Sequence, residues 1–252
     1  VCRERFDGLQ VEHLKTSPGK SRALNLAADH ANADLLVFTD DDVNPSPGWL
    51  VELERAAREY PEHLLFGGPI TPLWPDDMPD YLDGSIYLGH LFSRLESEQA
   101  TGPTKELRPF GPNMALRREA FERGVRFDET IGPGTETSMG DDTQITRQVA
   151  RLGQAAVYVS AARVFHRVRP DQLSLLWQLG RGVRYGRVLA HQGQTGVSRV
   201  FGVPRWAIRA VPEHCLCALW KVASGDRTAA FDELMEAALA IGQIRQARSR
   251  VR

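Results

Sequence analysis

Cysteine is scarce in this sequence of 252 residues, which contains only Cys2, Cys215 and Cys217. An odd number of cysteines does not fit a fully paired disulfide framework, and their spacing is not that of a structural zinc site. Such usage is typical of a reducing compartment, so we expect a cytoplasmic protein.

Long hydrophobic runs are absent as well. A transmembrane helix needs about 18 or more consecutive apolar residues, and the sequence has no uninterrupted run of that kind. We therefore expect no segment of this sequence to span a membrane by itself.

A net charge of −1 hides a strong asymmetry. Residues 1–165 contain 17 Lys and Arg against 26 Asp and Glu, a net charge of −9, whereas residues 166–252 contain 14 against 6, a net charge of +8. The acidic part argues against a nucleic-acid ligand. The basic part also contains Trp177, Trp206 and Trp220, and this mixture is typical of helices that lie on anionic membranes. A packed helical appendage with a solvated basic face is the alternative.

Three adjacent carboxylates, Asp40, Asp41 and Asp42, follow a short apolar run, residues 35–38, that is typical of a buried strand. Such carboxylates repel one another unless solvent screens them or a divalent cation binds among them, and oxygen ligands suit Mg²⁺ or Mn²⁺. In an extended stretch Asp40 and Asp42 point the same way and could share one ion. An acidic turn that leads into a helix is the alternative.

Helical and strand patterns alternate from residue 20 to residue 160, which predicts an α/β fold built from βαβ units. Ligands of such folds bind beyond the carboxyl ends of the strands, where the three aspartates would lie. Residues 71–110 are rich in Pro, Asp and Gly, and we expect a long functional loop with one short helix near residues 88–95.

Two further acidic residues, Asp141 and Asp142, follow a glycine-rich segment and start a predicted helix. Acidic side chains in a first helical turn often serve only as caps, which is the structural alternative to a catalytic role. His166 follows the last predicted core strand. We expect it to be a third partner for the carboxylates at residues 40 and 42.

Four motifs in a fixed order resemble the family 2 glycosyltransferases of the GT-A fold. They are Gly-Lys-Ser-Arg-Ala-Leu-Asn at 19–25, Thr-Asp-Asp-Asp at 39–42, Gly-Pro-Asn-Met-Ala at 111–115, and Gly-Asp-Asp with Arg147 at 140–147. The resemblance implies a Rossmann-like, mostly parallel sheet flanked by helices. Residues 1–165 would form the catalytic domain, and residues 166–252 would form a basic helical C-terminal region.

The resemblance implies a hexosyltransferase that moves a sugar from a nucleotide diphosphate sugar to a hydroxyl of a glycan or lipid-linked acceptor, with inversion. It would act in the cytoplasm, as a peripheral protein at the inner face of the cell membrane. By the same resemblance, the implied metal ligands are Asp42, Asp40 and His166. Asp142 matches the general base, and Asp141 stands where the family usually has Glu. The residues implied in binding the donor are Lys20, Asn25, Asp40 and Asn113.

Gln178-x-x-Arg181 resembles part of a motif of processive members, but Gly182 replaces its Trp, so we do not infer a polymerase. A sugar nucleotidyltransferase and a non-catalytic binding module of the same fold are the alternative functions. Few residues precede the motif at 19–25. We therefore expect the first strand and helix of such a domain, which contribute to base recognition, to lie upstream of this sequence.

Overall fold

The structure is a computed structural model that describes residues 11–135, 139–191, 199–200 and 202–249. The helices are α1 (Lys20–His30), α2 (Trp49–Glu59), α3 (Leu88–Phe92), α4 (Arg118–Glu122), α5 (Asp141–Arg151), α6 (Leu175–His191), α7 (Arg205–Ala223) and α8 (Arg227–Ser249). The strands are β1 (Leu35–Phe38), β2 (Val43–Pro45), β3 (Leu65–Gly67), β4 (Ile70–Leu73), β5 (Gly102–Thr104), β6 (Met114–Arg117), β7 (Ala156–Tyr158), β8 (Val164–Arg167), β9 (Arg199–Val200) and β10 (Val203–Pro204).

The central sheet has five strands in the order β1-β6-β3-β7-β5. Its pairings show that β1, β3 and β7 run in one direction and that β6 and β5 run in the other. The α/β class with flanking helices is confirmed. Three strands run in the same direction, as expected of a mostly parallel sheet, but among the described strands of this sheet only β3 and β7 are parallel neighbours. The reason is that β6 lies between β1 and β3 and runs antiparallel to both. The chain reaches β6 through the long segment 71–110 and not through a short helical crossover.

Both faces of this sheet are buried, as the alternation of side chains along β1 shows. Leu36 and Phe38 pack into one apolar cluster with side chains of α1, α4 and α5. Leu35 and Val37 pack against the other cluster, which includes Leu53 of α2. Because successive strand residues point to opposite faces, an apolar run of four residues suits a sheet covered by helices on both sides.

A smaller sheet, in the order β2-β8-β4, lies at the end of the larger one. β2 runs antiparallel to β8, with Val43 opposite His166, and β4 runs parallel to β8. Because of this pairing, Asp42, the residue before Val43, lies next to β8. The backbone N–H of Arg167 donates to the carbonyl oxygen of Asp42 at 2.9 Å, which fixes that position.

The C-terminal helices pack on the segment 71–110. Phe231 and Met235 of α8 share an apolar cluster with Leu82 and Phe92 of that segment. α6 approaches α8 so closely that a Cβ at Gly186 would lie 2.1 Å from the carbonyl oxygen of Leu239. In the described part of the chain, no helix combines the length and the hydrophobicity that crossing a membrane requires.

Candidate active site

The site is built around an ion pair between Lys20, at the start of α1, and Asp40, just after β1. The Nζ atom of Lys20 lies 2.5 Å from Oδ1 of Asp40, and both side chains are partly buried. Burial by itself lowers the pKa of Lys20, but its attraction to Asp40 and their hydrogen bond outweigh that effect and raise the pKa above its ordinary value. Lys20 is therefore a fixed positive charge beyond the carboxyl end of β1.

Gly111 and Asp142 complete this centre. A Cβ at Gly111 would lie 3.5 Å from Nζ of Lys20, and the backbone N–H of Gly111 donates to Oδ2 of Asp142 at 3.3 Å. The other carboxylate oxygen of Asp142 accepts from the N–H of Thr143 at 2.6 Å. The structure thus brings together one residue from each of the four sequence motifs.

Asp141 is buried beside this centre, with 9% of its surface exposed. Burial and, next, repulsion from Asp142 raise the pKa of Asp141 to about 6, although Lys20 opposes the shift. Gly132 is what lets the carboxyl group fit. It has φ of +101°, and a Cβ there would lie 3.3 Å from Cβ of Asp141. The fold therefore disfavours the ionised form of Asp141, which lies next to the predicted general base.

Asp42 faces His166 on the neighbouring strand, with Oδ1 3.4 Å from Nε2. Among the described residues, this Oδ1 is buried and finds no hydrogen-bond donor. Nδ1 of His166 lies 3.0 Å from the carbonyl oxygen of Phe92. A carbonyl can only accept, so Nδ1 carries the proton, and in the neutral ring Nε2 presents a lone pair to Asp42. Two acceptors that face each other fit a cation between them.

The predicted metal set of Asp40, Asp42 and His166 is not assembled in this form. Asp40 is held by Lys20, whereas Asp42 faces His166. Within the described ranges, no group of three or more His, Cys, Asp or Glu side chains is arranged to hold a metal ion. The reason is local geometry, since β1 ends at Phe38 and the aspartates lie in a turn, where alternate residues need not point the same way. The residues that fit a cation are Asp42 and His166.

Two of the predicted nucleotide-binding residues have structural partners instead. The buried side chain of Asn113 accepts from Nε1 of Trp49 at 2.8 Å and donates to the carbonyl oxygens of Pro69 and Ala162 at 3.1 and 2.7 Å. Asn25 exchanges two hydrogen bonds with the backbone of Phe127, at 2.9 and 3.0 Å. These amides therefore fasten neighbouring segments to one another, and their predicted role in binding the donor stays a prediction.

Arg181 of α6 is not among the residues predicted for the site, yet it interacts electrostatically with Asp142. Nε of Arg181 donates to the carbonyl oxygen of His90 at 2.9 Å, and its guanidinium lies 5.5 Å from the ring centre of Trp177. Burial and, next, the nearby Arg184 lower the pKa of Arg181 to about 10, while attraction to Asp142 opposes the shift. The signal in the sequence was Gln178-x-x-Arg181, which the exchange of Trp for Gly182 obscured.

His90 and Tyr185 form a further wall near Asp142, with ring centres 4.4 Å apart. Burial and, next, the positive charge of Arg181 lower the pKa of His90, and Asp142 opposes this shift. His90 lies in α3, inside the long segment that the sequence predicts to be functional. An aromatic wall beside a carboxylate can hold an uncharged, partly apolar group such as a sugar ring.

Residues 1–125, about half of the chain, match the family described as glycosyl transferase family 2. The chain belongs to this family. A curated relative, the glucosyl-dolichyl phosphate glucuronosyltransferase of Haloferax volcanii, is 21% identical over 170 residues, which are 67% of this chain and 54% of the relative. The chain therefore spans about half of the length of that relative.

A solved structure, that of a mannosyltransferase, agrees with this assignment at the level of the fold, and a second structure is similar to a lesser degree. The mannosyltransferase PcManGT of Pyrobaculum calidifontis, solved in complex with GDP-Man and Mn²⁺, has a TM-score of 0.50 and 17% identity, over 90% of this chain and 67% of that chain. TarS residues 1–349 of S. aureus, in complex with UDP-GlcNAc, has a TM-score of 0.46 and 15% identity, over 98% and 76% of the two chains. The expected GT-A fold is confirmed.

Proposed function

We propose that this family 2 glycosyltransferase moves a hexosyl group from a nucleotide diphosphate sugar to a hydroxyl of a glycan or lipid-linked acceptor, with inversion. Family membership supports the reaction class. The name of the H. volcanii relative supports a lipid-linked acceptor, and the GDP-Man complex of the mannosyltransferase supports a nucleotide-sugar donor. Inversion follows from a single in-line attack, which needs one base and one stabilised leaving group.

The observation that carries this proposal is the pair of acceptors formed by Asp42 and His166. Oδ1 of Asp42 and Nε2 of His166 lie 3.4 Å apart, and His166 is oriented by Phe92. These two side chains would hold a divalent cation, Mg²⁺ or Mn²⁺, together with oxygen atoms of the donor. When bound there, the cation would offset the charge that develops on the diphosphate leaving group.

The remaining residues of the centre divide the other tasks. Asp142 is the proposed base and takes the proton of the acceptor hydroxyl, with its carboxylate oriented by the N–H groups of Gly111 and Thr143. Arg181 is proposed to bind the diphosphate because a guanidinium presents paired donors to phosphate oxygens. Lys20 keeps Asp40 in place and adds a positive charge next to the same donor groups.

The proposed acceptor also gives the protein a location. A lipid-linked acceptor would be met at the inner face of the cell membrane, where the protein would act as a peripheral enzyme. The net charge of +8 on residues 166–252 supports this because the cytoplasmic leaflet is anionic.

Thermal shift can test the proposed metal-dependent donor site. At a concentration one hundred times its Kd, a nucleoside diphosphate bound with Mn²⁺ should stabilise the protein by about 2.7 kcal/mol, or about 5 to 10 °C in Tm. Asp42→Asn should abolish this shift, whereas Asp41→Asn, at the exposed neighbouring carboxylate, should preserve it. Uridine and guanosine diphosphates should both be tried. An equal shift for Asp42→Asn, or for the unchanged protein in excess EDTA, would refute the proposed site.

A further inference from the structure

The outer face of α7 is unusually apolar. We use this name for Ile208, Leu216, Leu219, Trp220 and Val222. Four of these side chains have 60 to 68% of their surface exposed, and Ile208 has 46%. The opposite side of the same helix is buried through Ala207, Ala210 and Ala218, and it packs on α8. A helix packed on one side would ordinarily present polar residues on the other, so this face is suited to a partner that is itself apolar.

Cations accompany the outer face of α7. Arg205 and Arg209 lie in its first turns, and Lys221 lies in its last turn with Nζ 5.4 Å from the ring centre of Trp220. Glu213 is the acidic residue within α7, and Arg209 binds it at 3.0 Å.

The other acidic residues after residue 165 are also engaged by the protein itself. Asp232 accepts from the hydroxyl of Ser85, Glu236 accepts from the hydroxyl of Tyr87, and Glu233 pairs with His214. Asp226 caps α8, and Asp171 pairs with Arg169. The charge that this region presents outward is therefore mainly positive.

We propose that the outer face of α7 docks on an anionic lipid bilayer. The apolar side chains would lie between the lipid headgroups, and Arg205 and Lys221 would lie against lipid phosphates, as in helices that rest in the plane of a membrane surface. The choice of a lipid partner rests on the proposed function, which has a lipid-linked acceptor. A second copy of the chain fits the face less well. Two α7 helices packed face to face, in either direction, would bring Arg205 of one copy near Arg205 or Lys221 of the other.

The packing connects this face to the active site. α7 leads directly into α8, where Thr228 donates to the carbonyl oxygen of Asp83 at 3.0 Å and Asp232 binds Ser85 at 2.6 Å. Ile86, which follows Ser85, has 72% of its surface exposed, and helix α3, which contains His90, begins two residues later. α8 therefore links the helix that would rest on the bilayer to the segment that carries one wall of the candidate active site. This connection suits an acceptor anchored in that bilayer.

Co-sedimentation with vesicles tests the proposal without catalysis. The unchanged protein should bind phosphatidylcholine vesicles that contain phosphatidylglycerol at least about tenfold more tightly than pure phosphatidylcholine vesicles, and salt should weaken the binding. Leu219→Gln with Trp220→Gln should reduce that binding about tenfold or more. The matched control is Leu50→Gln with Val51→Gln, two exposed apolar residues of α2, and it should bind like the unchanged protein. Arg205→Gln with Lys221→Gln should cost about fivefold for each cation removed.

Three results would overturn the proposal. They are equal binding to neutral and anionic vesicles, full binding by the α7 double variant, and a dimer in sedimentation velocity that the double variant abolishes. Release of nucleoside diphosphate from the donor in solution should be the same for the double variant and the unchanged protein. This second readout separates failure of the docking surface from failure of the proposed activity.

Discussion

Replacing Asp141 by Asn should stabilise the protein at neutral pH. The fold buries this carboxyl group next to Asp142, and burial and then that repulsion raise its pKa from 3.8 to about 6. Asn has nearly the same shape and no charge to desolvate. The substitution therefore measures how much free energy of unfolding is lost when Asp141 is ionised in the folded protein.

The sign and size follow from proton linkage. The folded protein holds the proton of Asp141 more tightly than the unfolded chain, so its stabilising effect is complete below pH 3.8 and is lost as the pH rises through about 6. Above that range the ionised carboxylate costs about 3 kcal/mol, because the pKa rises from 3.8 to about 6 and each pKa unit corresponds to about 1.4 kcal/mol. For a chain of this size the same amount corresponds to about 6 to 12 °C in Tm.

Thermal unfolding of Asp141→Asn and of the unchanged protein should therefore be compared at pH 7 and at a pH near 4. The variant should have the higher Tm at pH 7, and the difference should shrink as the pH falls. Asp34→Asn, which changes an exposed carboxylate, is the control and should show little difference at either pH. A variant that is less stable at pH 7 would refute the argument, because it would mean that the ionised group is stabilised by its partners and not opposed by burial.

Two further variants test the proposed roles in catalysis. Asp142→Asn should leave nucleoside diphosphate affinity nearly intact while lowering turnover by roughly 10² or more, as expected for a lost general base; lost donor affinity with preserved turnover would contradict this role. Arg181→Gln should weaken nucleoside diphosphate binding in calorimetry by about tenfold or more, because charge-assisted hydrogen bonds to phosphate are lost. An unchanged affinity would show that Arg181 serves only to hold His90 and Trp177.

Much of the site geometry could be predicted from local patterns. Apolar residues 35–38 do form a buried strand, and the residues at 20, 40, 111 and 142, which belong to four separate motifs, do lie together. In an α/β fold, the carboxyl ends of the strands and the starts of the helices that follow them lie at the same edge of the sheet. Motifs at these positions therefore lie close together, even when long loops separate them in the sequence. The roles of these residues in catalysis stay predictions that the variants above can test.

The contacts of a polar side chain could not be predicted from the sequence where its partners lie far away along the chain. Asp40 was expected to share an ion with Asp42, but in the structure it forms an ion pair with Lys20 of α1. Asn113 was expected at the nucleotide, but Trp49, Pro69 and Ala162 satisfy its amide inside the core. The partners of these two side chains cannot be predicted from the spacing of residues along the chain. Satisfying a buried polar group depends on which segments the fold brings together, and this is a property of the tertiary structure.

The two regions of opposite charge both contribute residues to the candidate active site, as the proposed reaction requires. The acidic region, residues 1–165, supplies Asp42 and Asp142, whereas α6 of the basic region supplies Arg181. A diphosphate donor needs positive charge and an acceptor hydroxyl needs a base, and in this proposal Arg181 adds to the positive charge of Lys20 while Asp142 is the base. The lowered pKa of Arg181 shows that burial and the neighbouring Arg184 oppose its charge. An anionic ligand at this place would relieve that opposition, and we therefore expect the donor diphosphate to bind beside Arg181.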